Sequence, residues 1–235
     1  MLSHLPPSPP KVVRQPRVGK DTPLPLPPVA RLHFDGSCNP NPGPMGIGYL
    51  LSIETRSVVT VGAQIGQGTN NQAEYEALIS GMRHALKFGL WNLEVYSDSL
   101  LVVNQMSGSW AVREARLKRL YERAKNYARL FPRLSFKYVP REENLRADDL
   151  SRKLHFSEPE LPPPLKLKQG NFLPSLLPWQ AAAVRVWWLN HHPGATTLAD
   201  IYGLGGTAME KIGHGETYKD ADFVAYDAWI ANLFS

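Results

Sequence analysis

Residues 34–44 read FDGSCNPNPGP and follow a strand-like run, Val29 to Phe34. An aspartate in that place ordinarily starts a turn, and the three prolines, two glycines and two asparagines after it suit a turn as well. The question is whether Asp35 does more than start it. Working outward, GIGYLLSIE and SVVTVGAQIG carry the apolar and β-branched character of two further strands, joined by a short turn at Thr55-Arg56. In NNQAEYEALISGMRHALKFG, residues Ala77, Leu78, Met82, Ala85 and Leu86 recur at helical spacing, and Gly89 marks the end. LEVYSD reads as a fourth strand and SLLVVNQMSG as a short helix. AVREARLKRLYERAKNYARLF reads as a long amphipathic helix stopped at Pro132, LSFKYV as a fifth strand, and EENLRADDLSRKL as a closing helix. The order β-β-β-α-β-α-α-β-α predicts an antiparallel meander continued by helical crossovers. That is an α/β domain with a mixed five-stranded sheet and flanking helices.

This domain occupies residues 29–156. The 28 residues before it hold nine prolines and four lysines or arginines against one acid, Asp21, which predicts a disordered basic tail. Residues 157–178 are again proline-rich and read as a linker, and 179–235 as a small all-α module. The chain has 235 residues, 43% hydrophobic and 20% charged, enough for one sizeable core and a smaller module. A net charge of +5 suits a polyanionic partner, although a modest excess of lysine and arginine also serves solubility. One cysteine, Cys38, excludes an internal disulfide and a cysteine-based metal cluster. No run approaches the roughly 20 apolar residues of a membrane span, so a cytoplasmic setting without membrane attachment is expected.

Four acids stand at element ends. Asp35 is placed at the end of the first strand, Glu74 at the start of the first long helix, Asp98 at the end of the fourth strand, and Asp148 in the last helix. If the first and fourth strands are neighbours, Asp35 and Asp98 lie at matching carboxyl ends, with Glu74 facing them and Asp148 closing the ring. Clustered carboxylates repel unless divalent cations sit among them, and an all-oxygen set suits magnesium or manganese. Two such ions, about 3.5–4 Å apart, orient a water and stabilise the leaving oxygen in phosphodiester cleavage. Each acid also has a bland reading. Asp35 and Asp98 can be turn or N-cap residues, Asn71 and Glu74 can form a capping box, and Asp148 can be a solvated helix acid.

FDGSCNPNPGPMGIGY, TNNQAEYEAL, VYSDSLLVVNQ and VPREENLRADDLS, in this order and spacing, resemble the four signature segments of type 1 ribonuclease H. The resemblance implies the ribonuclease H fold and metal-dependent endonucleolytic hydrolysis of the RNA strand of RNA–DNA hybrids, with two Mg2+ or Mn2+ ions held by Asp35, Glu74, Asp98 and Asp148. Asp148 matches the motif better than Asp149, because Ala147 and Leu150 flank it in the Ala-Asp-x-Leu pattern. It also implies that Gly36, Ser37, Cys38, Asn41, Thr69, Asn70 and Asn71 line the hybrid-binding groove. Some members place a mobile histidine before the last aspartate, to assist product release. Here Arg141 or Glu143 stands in that region, and Arg141 is the candidate. Leu100 occupies a position where many relatives carry a polar groove residue. The family's basic protrusion is missing, although Arg113, Arg116, Lys118, Arg119, Arg123 and Lys125 offer positive charge from a helix face.

In the last module, Leu198, Ile201, Gly203, Leu204, Gly205 and Ile212 weakly resemble a helix-hairpin-helix, whose second-helix amides bind a phosphate. Duplex nucleic acid is the partner this implies for 179–235, with dimerisation or partner docking as the other reading. Two rivals to a hybrid-cutting nuclease stand beside it: a DNA nuclease on the same fold, and a catalytically weak hybrid-binding scaffold.

Overall fold

The structure is a computed structural model that describes residues 29–90, 92–158, 207 and 211–212. Its centre is a six-stranded mixed sheet built from β1 (Ala30–Cys38), β2 (Gly43–Ile53), β3 (Arg56–Gly68), β4 (Asn92–Ser97), β5 (Arg133–Tyr138) and β6 (His155–Ser157). The order across the sheet is β5-β4-β1-β2-β3-β6. The first three strands form the expected meander, with β1 antiparallel to β2 and β2 to β3. β4 and β5 then add in parallel on the other side of β1. Parallel pairing needs crossovers, and the helices α1 (Asn70–Lys87), α2 (Leu100–Met106) and α3 (Ala115–Ala128) supply them.

The main core lies between the sheet and α1. Leu32 and Phe34 from β1, Tyr49 and Leu51 from β2 and Val95 from β4 are buried against Ala77, Leu78, Met82 and Ala85 of α1. Each such large side chain contributes about 1.5–3 kcal/mol by leaving water. The end of α1 follows from its sequence: Gly89 takes φ 69°, its amide bonds Leu86 O at 2.9 Å, and the Leu90 amide bonds Ala85 O at 2.8 Å. This is a Schellman ending, which favours glycine at the left-handed position.

The opposite face is thinner, and there the packing is set by missing side chains. A Cβ at Gly46, Gly48 or Gly62 would collide with the backbone of Ser151, Ala147 or Leu150. These glycines let α4 (Leu145–Ser151) lie directly on β2 and β3, which brings its Asp148 against the sheet.

Several boundaries differ from the sequence reading. The sheet has a sixth strand, because β6 pairs Thr60–Gly62 of β3 through only three residues, too short to carry a pattern. The β2–β3 turn is Glu54-Thr55, with Glu54 at φ 52°, and Arg56 already belongs to β3. The long amphipathic helix begins at Ala115 and not at Ala111, whose carbonyl accepts a hydrogen bond from Gln105 Nε2 at 3.4 Å and so is held by α2. The closing helix is split: Arg141–Glu143 form a 3-10 turn and α4 stops at Ser151. Ser157 and Glu158, read as linker, belong to the domain, since Glu158 pairs with Lys87 at 2.9 Å. The N-terminal tail, the rest of the linker and most of the C-terminal module lie outside the described residues. Of the hairpin positions only Ile212 is described, and it is buried.

Candidate active site

The parallel register of β1 and β4 places the first two acids. His33 is level with Tyr96, so two residues further on Asp35 is level with Asp98. Asp35 is not at the end of its strand, as the sequence suggested. β1 continues to Cys38 against β2, with Asp35 opposite Gly48, while β4 stops at Ser97. Asp35 therefore sits where β1 loses one of its two neighbours, a crevice at the carboxyl end of the parallel strands. Asp98 does not cap α2. Ser99 takes that role, accepting from the Val102 amide at 3.5 Å, and Ser97 Oγ accepts the Ser99 amide at 3.0 Å. The Asp98 carboxylate is instead held by Asn144, whose Nδ2 donates to Asp98 Oδ1 at 2.6 Å.

Glu74 reaches the crevice because Gly36 has no side chain. A Cβ there would collide with the backbone of Ala73 and Glu74, so only glycine lets β1 and α1 approach this closely. The capping alternative for Asn71 and Glu74 is corrected. The N-cap is Thr69, in a reciprocal box with Gln72: the Thr69 amide donates to Gln72 Oε1 at 2.9 Å, and Thr69 Oγ1 accepts the Gln72 amide. Glu74 is thereby released from capping. Asp148 completes the group from α4. Its Oδ1 accepts from both Arg141 Nη2 and Arg152 Nη2 at 2.6 Å, and its backbone oxygen accepts from Ser151 Oγ at 2.8 Å.

The electrostatics of the acids divide. Burial, with the charges of Asp98 and Asp148 adding to it, raises the Asp35 pKa to about 6, and the nearby Ser151 side chain partly opposes the rise. Glu74 is raised well above the ordinary range, first by burial and then by Asp35 and Asp98, with the Gly36 amide partly opposing. Its Oε2 is buried and has no hydrogen-bond partner, while Oε1 has a long contact of 3.5 Å from Asn70 Nδ2. A buried carboxylate oxygen without a partner is costly, so this one fits a ligand that supplies positive charge. Among the described residues no three of His, Cys, Asp and Glu already form a closed metal cage. The all-oxygen donor set and the orphaned Glu74 oxygen nevertheless fit Mg2+ or Mn2+, with Asp35, Glu74, Asp98 and Asp148 as the residues to hold them.

Most of the other anticipated residues lie at the end of β1, in the loop after it and at the start of α1. Ser37 Oγ donates to Ser151 O at 2.6 Å, tying β1 to α4. Cys38 is half-buried and its Sγ lies 3.2 Å from both Pro40 O and Gly68 O, a packed filler. Asn41 is exposed and its Oδ1 accepts the Asn70 amide at 3.2 Å, which links the glycine-proline loop to the start of α1. Thr69, Asn70 and Asn71 are half-exposed on the same rim. Arg116, Lys118 and Arg119 are exposed on α3; Arg113, expected on the same helix face, is exposed in the segment before α3, and Arg123 pairs with Glu76 of α1 at 2.8 Å. Leu100 is exposed, and His33 stacks on Tyr96 with ring centroids 4.9 Å apart. Sequence reasoning missed Asn144 and Arg152. Arg152 had a local signal, four residues after Asp148 on one helix face. The contact of Asn144 with Asp98 spans 46 positions and had none.

Comparison with known proteins agrees with this geometry. Residues 33–154 match the family described as reverse transcriptase-like. A bifunctional protein of Mycobacterium tuberculosis is 41% identical over 122 residues, 51% of this chain and 34% of that protein. A ribonuclease HI of Halobacterium salinarum is 40% identical over 120 residues, 51% of this chain and 60% of that one. The chain thus spans between a third and three fifths of the length of these relatives. Among solved structures, the N-terminal RNase H domain of the mycobacterial protein superposes with a TM-score of 0.52 at 38% identity, covering 54% of this chain and 92% of that one. An RNase H1 designated LC11, crystallised in complex with an RNA/DNA hybrid, gives 0.50 at 37% identity, covering 52% and 94%. By sequence and by fold, the chain belongs to the reverse transcriptase-like family and carries a ribonuclease H domain.

Proposed function

We propose that this protein is a metal-dependent endonuclease that hydrolyses the RNA strand of RNA–DNA hybrids, with two Mg2+ or Mn2+ ions at its four acids. The observation that carries this reading is the pair Asp35 and Glu74, buried side by side with raised pKa values and one orphaned oxygen. Such a pair is unfavourable unless a cation joins it. The relative solved with an RNA/DNA hybrid supports the substrate class.

When bound, the cations would supply an activated water and stabilise charge on the scissile phosphate. The chain's own residues do the rest. Asp35 and Asp98 fix the site at the end of the parallel strands, and Glu74 and Asp148 bring it charge from the two faces of the sheet. Asn41, Thr69, Asn70 and Asn71 form a rim joined by the Asn41–Asn70 hydrogen bond, and Gly36, Ser37 and Cys38 lead into it along β1. This rim is suited to the sugar edge of an RNA strand, where the 2′-hydroxyl marks RNA from DNA. Arg141 rests on Asp148 and is exposed enough to turn toward a product phosphate. Water adds across the P–O3′ bond, leaving a 3′-hydroxyl on one fragment and a 5′-phosphate on the other.

The test is a panel of hybrid, RNA duplex and DNA duplex of one sequence, each incubated with the full-length protein in Mg2+ or Mn2+. Cleavage confined to the RNA strand of the hybrid is expected. Cutting of the DNA duplex would favour a DNA nuclease on the same fold, and binding of hybrid without cutting would favour a scaffold.

A further inference from the structure

Asn144 is 1% exposed, yet within its signature segment it was assigned no role. It lies at the junction of the 3-10 turn and α4, and its one NH2 group makes two hydrogen bonds. Nδ2 donates to Phe34 O at 2.9 Å and to Asp98 Oδ1 at 2.6 Å. Phe34 O is the carbonyl of the peptide that joins Phe34 to Asp35. The amide therefore spans the two acid-bearing strands just beyond the last paired residues of their ladder, His33 and Tyr96. It acts as one more rung, made by a side chain.

The chemistry of the pocket fixes which end of the amide points in. Both partners are acceptors, one of them a carboxylate, so a flipped amide would set oxygen against oxygen. The cost of the observed orientation falls on Oδ1, which is buried without a hydrogen-bond partner. A residue needed only to start α4 would not tolerate an orphaned buried oxygen, because a small hydroxyl cap would serve there.

We propose that Asn144 is a positioning residue that holds the Asp98 carboxylate level with Asp35 against their mutual repulsion, and thereby sets the affinity of the site for divalent cations. The repulsion follows from the register: Asp35 and Asp98 stand level on neighbouring parallel strands, two residues beyond the His33–Tyr96 pair. The bond commits Asp98 Oδ1 and leaves the other carboxylate oxygen for a cation. Without it, Asp98 is free to rotate toward solvent, and the acids no longer converge.

This rests on the metal-dependent reading above, and the experiment separates the two. Mn2+ is titrated calorimetrically into full-length wild type, Asn144→Ala and Asn144→Ser, well below the melting temperature of each. Loss of a charge-assisted hydrogen bond to Asp98 is expected to weaken Mn2+ binding about tenfold or more in Asn144→Ala. Asn144→Ser, which keeps a short donor, is expected to fall between, and it carries the test if the alanine variant does not fold. In hybrid cleavage the half-saturating Mg2+ concentration should rise by a similar factor, while KM for hybrid stays within about twofold. A lowered melting temperature with unchanged Mn2+ affinity would overturn the proposal, leaving Asn144 a structural residue. A wild type that binds Mn2+ but does not cut hybrid would sink the nuclease reading alone, and one that takes up no Mn2+ would sink both.

Discussion

Asp148 and Glu74 are buried carboxylates of one crevice, and the protein treats them in opposite ways. Asp148 receives two guanidinium groups on a single oxygen, and its neighbour Asp98 receives the Asn144 amide. Glu74 and Asp35 receive no arginine or lysine hydrogen bond among the described residues, and burial drives both pKa values up. One half of the site is compensated by the chain itself, while the other waits for charge from outside. On the proposed reading, the difference points to the α1–β1 seam that Gly36 opens as the place where a cation would relieve the most charge.

The largest expected effects come from neutralising acids. Asp98→Asn should leave less than a tenth of wild-type cleavage in saturating metal, with folding and hybrid binding largely intact. A variant with more than that would remove Asp98 from the cation set. Glu74→Gln should abolish cleavage equally but raise the melting temperature of the metal-free protein, because an amide is cheaper to bury than a repelled carboxylate. Asp148→Asn should do the reverse to stability, since it leaves Arg141 and Arg152 without their shared partner. Equal stability changes at the two positions would break the contrast between the halves.

A pH series sharpens it further. The Asp35 pKa is about 6 in the folded protein, against an ordinary value of 3.8. A raised carboxyl pKa means the folded state holds its proton longer than the unfolded state, so stability declines as pH rises through that window. A shift of about two units corresponds to about 3 kcal/mol. In chelator, Asp35→Asn and wild type should be nearly equal in stability near pH 4, with the variant gaining up to about 3 kcal/mol by pH 7. Added Mn2+ should close the gap for wild type only. A difference independent of pH would show that Asp35 is not strained by its surroundings.

Smaller changes are expected on the compensated side. Arg141→Ala should lower steady-state turnover more than single-turnover cleavage, with hybrid affinity little changed. Because Arg141 and Arg152 are both more than half exposed, each alone should contribute at most about 1 kcal/mol to stability. Equal losses in both kinetic regimes would instead make Arg141 a substrate-positioning residue.

What could be read from sequence was whatever has a local cause. Helical spacing and Gly89 located α1 and its end, and the strand-helix alternation gave the mixed sheet, while the pairing of β1 with β4 entered only as a condition that the structure meets. The quoted loop likewise placed Asp35 near the crevice, although the strand runs on to Cys38. The misreadings came from contacts between distant segments. Gln105 holds Ala111 and delays α3, β6 depends on the partner it finds in β3, and Thr69 takes the cap from Asn71 through its exchange with Gln72. Asn144 was invisible for the same reason, since nothing within VPREENLRADD indicates that its amide meets Phe34 and Asp98.

The central claim, that the uncompensated acids exist to bind cations for hydrolysis, meets its most direct test in one assay. Full-length protein is incubated with an end-labelled RNA–DNA hybrid across a Mg2+ series that begins in chelator. No cleavage is expected in chelator, followed by internal cuts in the RNA strand, with 3′-hydroxyl ends, that rise with Mg2+ and saturate. Cleavage undiminished in chelator, or none by folded protein at saturating Mg2+ and Mn2+, would contradict it.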